Sequence, residues 1–217
     1  MVKNNLVENY EVPVTKTTVV YEYSNATIPE LSNIDLNSFI VGGAGTAHWR
    51  KGSDLFVQLA LYINKNYPKH PIKFNWMGYV NSTEKIILNE DIRKSNLQDV
   101  ITFTPASPDY LDVFKTFSLL AMTSREDPFP LVCIEIGMMG KPIVCFKGAT
   151  GSEEIIEKGG GVIVPYLDVP AMAEAIIVYY ENRDTLETDG AINKLEFSKF
   201  TPEIICPQLW DVISKEL

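Results

Sequence analysis

The chain has 217 residues, of which 46% are hydrophobic and 22% are charged, and its formal net charge is −9. An acidic protein of this kind is a poor candidate for nucleic-acid binding, which needs clustered Lys and Arg side chains along the phosphate backbone. Three widely spaced cysteines and two histidines argue against a disulfide framework and against a zinc cluster, so we expect no bound metal. No run of about 20 apolar residues and no signal peptide occurs, which predicts a cytoplasmic protein without a transmembrane segment.

The first 37 residues differ in pattern from the rest of the chain. They contain β-branched runs at 12–14 and 17–21, followed by a polar stretch rich in Asn and Pro. We interpret residues 1–37 as a separate segment with short strands. Residues 38–217 are then interpreted as one domain.

From Ser38 onward, short apolar runs alternate with longer segments of helical periodicity. The predicted strands are 39–41, 72–77, 100–103, 119–122, 142–146 and 161–164. The predicted helices are 53–64, 84–95, 108–117, 131–139, 151–158, 169–180 and 202–215, and Thr150 with Glu153 has the spacing of a capping box at one of them. This alternation requires crossover connections and a parallel sheet covered on both faces, so the predicted fold is α/β, doubly wound and Rossmann-like.

Ligands of such sheets bind beyond the carboxyl ends of the strands. The loop at 42–52 is a glycine-rich turn between a strand and a helix, an arrangement that receives phosphate groups on backbone N–H groups. It has His48 where a dinucleotide-binding fingerprint has its third glycine, and the next strand ends in Gly78 and not in an acid, which disfavours NAD. Arg50 and Lys51 would place cations beside this anion site, or else form a solvated basic turn.

The loop that follows the strand at 119–122 carries two acids around a helix start. Pro130 suits the first turn of a helix, Asp127 lies just before it, and Glu135 lies about 7.5 Å further along the helix axis. An anion is stabilised at the helix N-terminus, and carboxylates on either side accept hydrogen bonds from hydroxyl groups. The arrangement suits a nucleotide-sugar, although Asp127 as a mere cap and Glu135 as a surface acid would give the same pattern.

Five motifs in order resemble the carboxyl-terminal domain of glycosyltransferase family 4, a retaining group with the two-domain GT-B fold. They are KG at 51–52, SREDPFPLVCIE at 124–135, GKPIV at 140–144, TGSEE at 150–154 and VPYLD at 164–168. The resemblance covers residues 38–180, and it implies that residues 1–37 are an inter-domain segment. It implies that the domain at 38–217 binds a nucleotide-sugar.

The resemblance implies a catalytic set of Lys51, Asp127 and Glu135, with Lys51 on the diphosphate, Asp127 on the sugar hydroxyls and Glu135 on the ribose. Thr46 stands where the family has a second basic residue, and Arg50 is the candidate replacement. Phe129 is a candidate for stacking on a base or sugar, or else it fills the base of its loop. The full predicted donor-binding set is Gly43, Gly45, Thr46, Arg50, Lys51, Asp127, Phe129, Pro130, Leu131, Val132 and Glu135.

The implied activity is transfer of a hexosyl group from a UDP- or GDP-sugar to a glycan or a lipid-linked saccharide in polysaccharide biosynthesis, without a metal or other cofactor. The family binds its acceptor on an amino-terminal domain, which we expect to be absent from this chain, so the chain alone would bind donor and transfer nothing. The full-length protein would be cytoplasmic, and peripheral binding at the inner face of a membrane is compatible with it. The alternatives are a non-catalytic nucleotide-binding module and an unrelated doubly wound domain such as a dehydrogenase.

Overall fold

The computed structural model describes residues 2–29 and 38–215. In this part of the chain a single parallel sheet is formed by β1 (Phe39–Ala44), β2 (Ile72–Met77), β3 (Ile101–Thr104), β4 (Leu119–Met122), β5 (Ile143–Phe146) and β6 (Gly161–Val164). The strand order is β3-β2-β1-β4-β5-β6, so the direction in which strands are added reverses between β1 and β4. The predicted doubly wound α/β fold is confirmed, and the reversal is the point at which such sheets bind ligands.

Helices cover both faces of the sheet. They are α1 (Val2–Asn9), α2 (Ser53–Asn66), α3 (Ser82–Lys94), α4 (Tyr110–Thr116), α5 (Leu131–Met138), α6 (Glu153–Ile156), α7 (Val169–Glu181), α8 (Arg183–Phe197) and α9 (Pro202–Ser214). One core cluster joins the sheet to α2, α3 and α7, and a second joins its other face to α4, α5, α6, α8 and α9. Every residue of β4 and β5 is buried, as expected for strands with helices on both sides.

Helix α8 is an element that the periodicity of the sequence did not predict. Only Gly190, Asn193 and Phe197 of its 15 residues are buried, which is too few for a recognisable apolar stripe. Its packing depends on close approach: a Cβ at Gly190 would overlap the Gly140 carbonyl, and one at Gly137 of α5 would overlap the ring of Phe197. The buried Asn193 amide also donates to the carbonyls of Lys141 (2.8 Å) and Gly160 (2.5 Å). The helix is therefore held by close glycine contacts, one aromatic ring and one buried amide.

The short strands expected in residues 1–37 are not found in the described part of that segment, residues 2–29. It contains α1 and a single 3-10 turn at Val14–Lys16, and neither α1 nor this turn was predicted. Residues 17–29, which we call the strap, have no regular secondary structure and pack on the domain through side chains. The β-branched run at 17–21 forms no strand, and no strand of the sheet pairs with the strap. Residues 30–37 lie outside the described residues.

The predicted capping box is wrong in detail. The Thr150 hydroxyl accepts a hydrogen bond from the Ser152 amide (3.2 Å), and the Glu153 carboxylate accepts one from the Gly148 amide (2.7 Å). Helix α6 is shorter than the predicted helix at 151–158, by two residues at each end. The backbone of Thr150 instead forms an isolated parallel bridge with Asp127, and this bridge ties two loops together at the carboxyl edge of the sheet.

No helix within residues 2–29 and 38–215 is both long enough and apolar enough to cross a bilayer.

Candidate nucleotide-sugar site

A cavity of about 470 Å³ opens at the carboxyl edge of the sheet, where the loops that follow β1, β2, β3 and β4 meet. The ends of β1 and β2, the loops that follow β1, β2 and β3, and helix α4 contribute Ala44, Gly45, Lys51, Met77, Gly78, Ala106, Ser107, Tyr110 and Phe114 to its lining. Its lining from the β4–α5 loop and the start of α5 is Asp127, Pro130, Leu131 and Val132. The cavity therefore lies at the switch point of the strand order, and most of its walls are apolar.

The β1–α2 loop places Lys51 on the cavity wall, and its backbone conformation depends on two glycines and a 3-10 turn. Gly45 has a φ of 120°, and Trp49–Lys51 form a 3-10 turn whose Arg50 amide donates to Nδ1 of His48 at 3.1 Å. Gly52 ends the turn with a φ of 71°, and a Cβ at this position would overlap the Thr123 carbonyl. The loop can approach the β4–α5 loop this closely only because residue 52 is glycine.

Lys51 forms an ion pair with Asp127 across the two loops. Its Nζ donates to Oδ2 of Asp127, and a nitrogen of Arg50 lies 3.7 Å from the other carboxylate oxygen. Asp127 is buried, and its amide donates to the Ala149 carbonyl at 2.8 Å. The carboxylate is thus faced by two cations, one of which lines the cavity, so an anion in the cavity would meet a cation already held in position.

Arg125 clamps the same two loops from the outside. Its guanidinium donates to both carboxylate oxygens of Asp54 (2.8 and 2.7 Å) and to the Trp49 carbonyl (2.6 Å), and it stacks on the Trp49 ring at 5.0 Å. The Arg125 amide also donates to the Arg50 carbonyl at 2.8 Å. The Asp54 carboxyl accepts these charged hydrogen bonds, and its pKa is lowered despite the opposing effect of burial. The clamp fixes Lys51 relative to Asp127.

Helix α5 points its amino-terminal end into the cavity. Pro130 occupies the N-cap position, and Leu131 and Val132 of the first turn line the cavity beside it. The first amides of a helix have no intrahelical acceptor and carry a partial positive charge. Asp127 does not act as a cap here, because no side chain makes the N-cap hydrogen bond. This end of α5 is therefore suited to bind an anion.

Glu135 lies behind the cavity wall on α5 and is 7% exposed. Its Oε1 accepts hydrogen bonds from the Tyr110 hydroxyl at 2.9 Å and from the Ser24 hydroxyl of the strap at 3.0 Å. Burial raises the pKa of this carboxyl, and the two hydroxyl donors partly offset the rise. Glu135 is thus a buried acceptor whose link to the cavity is Tyr110.

The structure brings together six of the predicted donor-binding residues on the cavity wall, namely Gly45, Lys51, Asp127, Pro130, Leu131 and Val132. The other predicted residues lie elsewhere. Gly43 packs under Trp76 and Phe56 within the sheet, and Thr46 is exposed on the loop. Phe129 packs on Tyr21 and Phe200 (ring centroids 5.0 and 5.2 Å apart), so it fills the base of its loop.

The sequence reasoning did not identify Tyr110, Ser107 or Ser24. The loop before Tyr110 follows β3 and so belongs to the ligand-binding edge, which is the signal that could have identified both Tyr110 and Ser107. Ser24 had no comparable signal. It is 111 positions from Glu135 in the chain and reaches it because the strap packs against α5. The strap is also anchored between α8 and α9, where the Ser24 amide donates to the Phe200 carbonyl at 3.1 Å.

Within residues 2–29 and 38–215, no group of three His, Cys, Asp or Glu side chains is arranged to hold a metal ion. The charges that reach the cavity are Lys51, Asp127 and the positive end of α5.

The fold has solved counterparts. TarM of S. aureus, whose crystal structure contains fondaparinux, α-GlcNAc-glycerol and UDP, aligns with a TM-score of 0.73 at 20% identity, covering 90% of this chain and 40% of TarM. Anabaena Alr3699/HepE, solved with UDP and glucose, also gives 0.73, at 23% identity, covering 82% of this chain and 48% of that protein. These likenesses confirm the Rossmann-like fold of the chain.

Sequence comparisons agree with the fold. An uncharacterized glycosyltransferase of Haemophilus influenzae is 23% identical over 159 residues, which are 73% of this chain and 44% of the relative, so the chain spans less than half of that protein. The sequence model described as "Glycosyl transferases group 1" matches residues 24–194. That match includes every strand of the sheet and every residue that lines the cavity, and the chain belongs to the family of group 1 glycosyl transferases.

Proposed function

We propose that this chain is the donor-binding domain of a retaining glycosyltransferase, which transfers a hexosyl group from a nucleoside diphosphate sugar to a glycan or a lipid-linked saccharide. The observation that carries the proposal is that one cavity wall combines the ammonium of Lys51 with the amino-terminal end of α5. A diphosphate binds favourably to such a pair, because a fixed cation and unpaired helix amides are both complementary to its charge.

The sugar and the nucleoside would lie on opposite sides of the diphosphate. Asp127 is assigned to the sugar hydroxyls and Glu135 to the ribose side. Arg50 takes the role of the family's second basic residue, since Thr46 stands at that position here. As the glycosidic bond breaks, negative charge develops on the leaving diphosphate, and the preorganised Lys51 and helix amides would stabilise it. We therefore propose transfer without a metal ion, with the protein supplying the positive charge.

The acceptor would bind to the remainder of the protein, because this chain spans 44% of the Haemophilus relative and 40–48% of TarM and HepE. TarM and HepE were solved with UDP, which makes UDP and UDP-glucose the first ligands to test. On this proposal the isolated chain binds donor and transfers nothing.

Isothermal titration of the chain with UDP, UDP-glucose, GDP and NAD tests the proposal. We expect binding of a nucleoside diphosphate and its sugar, no binding of NAD, and no release of glucose from UDP-glucose. Lys51→Ala should weaken diphosphate binding by about 10- to 100-fold, the contribution of one charged hydrogen bond. Lys65→Ala, at the last turn of α2 and away from the cavity, is the matched control and should bind as the wild type does. Preference for NAD, or equal affinity in the Lys51 and Lys65 variants, would overturn the proposal.

A further inference from the structure

Two exposed aromatic side chains belong to loops at the carboxyl edge of the sheet and are absent from the cavity lining. Trp49 is 68% exposed, and Tyr166, in the loop between β6 and α7, is 53% exposed. Trp49 precedes the cavity residue Lys51 by two positions, so their Cα atoms lie within about 7 Å of each other. Tryptophan is highly buried on average, and one that is this open beside a cavity indicates a contact surface.

Both rings are held by one residue of the β4–α5 loop, Arg125. Its guanidinium stacks on the Trp49 ring, and its carbonyl accepts a hydrogen bond from the Tyr166 hydroxyl at 3.4 Å. The Tyr166 ring also meets the buried ring of Phe146 edge-on, with centroids 6.4 Å apart. The guanidinium covers one face of Trp49, and the exposure of that side chain leaves the opposite face open. We call Trp49, Arg125 and Tyr166 the aromatic rim.

The backbone beside Tyr166 fixes the position of its ring. The next residue, Leu167, has a φ of 60°, which is unfavourable for a bulky side chain. Asp168 then caps α7 by accepting a hydrogen bond from the Ala171 amide at 2.9 Å. Rings that are already fixed in the free protein lose little conformational entropy when a ligand packs on them. The rim is therefore preorganised for binding.

The rim lies on the side of the cavity that the proposed function assigns to the donor sugar. Arg50, which follows Trp49, has a nitrogen 3.7 Å from Oδ1 of Asp127. Its guanidinium is 41% exposed and has five N–H donors, of which one nitrogen engages the Glu126 carbonyl, so it can also donate to hydroxyl groups. A saccharide matches this combination, because one face of a hexose ring presents C–H groups that pack on aromatic rings while its edge carries hydroxyl groups.

The charges of this region favour a neutral saccharide. Arg125 is balanced by the Asp54 carboxylate, to which it donates two hydrogen bonds, and Arg50 lies beside the Asp127 carboxylate. An acidic saccharide would have to compete with these carboxylates for the same guanidinium groups. A neutral one needs only the open aromatic faces and the remaining N–H donors.

We propose that the aromatic rim is a saccharide-binding surface, which holds part of a neutral acceptor oligosaccharide by stacking of hexose rings on Trp49 and Tyr166. This inference rests on the proposed function, because an acceptor has to approach the donor from its sugar side. The remainder of the protein would hold the reacting unit of the acceptor, and the rim would hold units further along the same saccharide.

The three tryptophans of the chain give three separate signals in one NMR experiment. The indole N–H of Trp49 reports on the rim. That of Trp76 donates to the carbonyl of the cavity residue Gly45 at 2.9 Å and reports on the cavity, whereas Trp210 of α9, which is 63% exposed, is the matched control. The ¹⁵N-labelled chain is titrated with maltohexaose, with cellopentaose and, separately, with UDP. We expect at least one oligosaccharide to shift the Trp49 signal and not that of Trp210, with a dissociation constant on the order of 1 mM, and UDP to shift that of Trp76.

Variants of the rim show whether the rings make the contact. Saturation transfer from the protein to the oligosaccharide measures binding in each variant, and an unchanged Trp76 signal shows that the variant is folded. Trp49→Ala should weaken binding at least about tenfold, and Tyr166→Ala about threefold, because each loses an aromatic face. Tyr166→Phe keeps the ring and should retain most of the affinity. Trp210→Ala removes an equally exposed indole and should bind as the wild type does.

The outcomes separate this inference from the proposed function. UDP binding without any shift of the Trp49 signal by either oligosaccharide would overturn the rim alone, and so would equal losses of affinity in Trp49→Ala and Trp210→Ala. A dimer in analytical ultracentrifugation that Trp49→Ala dissociates would overturn it in favour of a second copy of the chain on this surface. The absence of UDP binding would overturn the proposed function itself.

Discussion

Two lysines at opposite edges of the sheet, one partly exposed and one buried, show how differently the fold treats the same side chain. Lys51, at the carboxyl edge, lines the cavity and pairs with the Asp127 carboxylate. Lys141, just before β5 at the amino edge, is 4% exposed and donates to the carbonyls of Lys115 and Phe117 at the end of α4 (2.8 Å to Lys115). Among the described residues, no carboxylate forms an ion pair with Lys141.

The comparison separates a charge that lines a cavity from one that closes a helix end. At Lys141 burial is opposed only by neutral carbonyls, and it lowers the pKa of the ammonium to about 8. The carbonyls at a helix C-terminus favour a cation, so Lys141 replaces the missing amides of α4. Lys51 instead has a full opposite charge beside it, and a ligand anion would be added to an existing ion pair.

The largest expected effect on stability comes from removing only one partner of the Lys51–Asp127 ion pair. Lys51→Met leaves the buried Asp127 carboxylate without its closest cation, and we expect the free energy of unfolding to fall by about 4 kcal/mol. The double variant Lys51→Met/Asp127→Leu removes both charges and should recover most of this loss. Urea unfolding at pH 7 measures both, and a double variant no more stable than the single one would show that the pair is not coupled.

The second largest effect is on the pH dependence of the free energy of unfolding, and it comes from Lys141. In the unfolded chain a lysine keeps its proton up to about pH 10.4, whereas Lys141 in the folded protein releases its proton near pH 8. Between these values the unfolded state binds more protons, so stability rises with pH, by up to about 3 kcal/mol. Lys141→Met should lack this rise. Urea unfolding of both proteins at pH 7.5, 9 and 10.5 measures it, and parallel pH curves for the two would contradict the prediction.

The smallest expected effect on stability comes from weakening the Arg125 clamp that holds Lys51 in place. Lys141 has no such clamp. Arg125→Lys replaces a bidentate guanidinium with a point charge that cannot reach both Asp54 oxygens and Trp49 at once, and we expect a loss of about 1 kcal/mol. Arg93→Lys, at an exposed pair with Glu90, is the matched control and should change stability negligibly. Hydrogen exchange should also become faster at 48–52 in the Arg125 variant alone.

The sequence predicted the sheet well because burial on both faces imposes a strong pattern. The predicted ranges of β2, β4 and β6 are those of the structure, and Trp76 of β2 is 1% exposed. Helices whose contacts are made by glycines escaped the same reasoning, as α8 shows at Gly190. The spacing of apolar residues indicates which face of a helix is buried, but it does not indicate where two backbones approach closely.

The charged residues of the candidate site were predictable from the sequence, whereas its hydroxyl residues were not. Lys51, Asp127 and the start of α5 follow from the rule that loops at the carboxyl ends of strands hold the ligand. The pairing of Lys51 with Asp127 depends on the loop closure that Gly52 permits, which spacing along the chain does not reveal. The Ser24 contact depends on the path of the strap over α5, and no local signal in residues 17–29 specifies that path.

The packing of the strap and α8 has a practical consequence for anyone who shortens this protein. Trimming to residues 24–194, the range of the family match, would delete Tyr21 and Phe197. The first ring packs on Phe129 at the base of the β4–α5 loop, and the second fills the space above Gly137. Cloning boundaries drawn from family alignments would therefore expose apolar surface beneath the loop that carries Asp127, so an expressed fragment should begin before residue 17 and extend through α9.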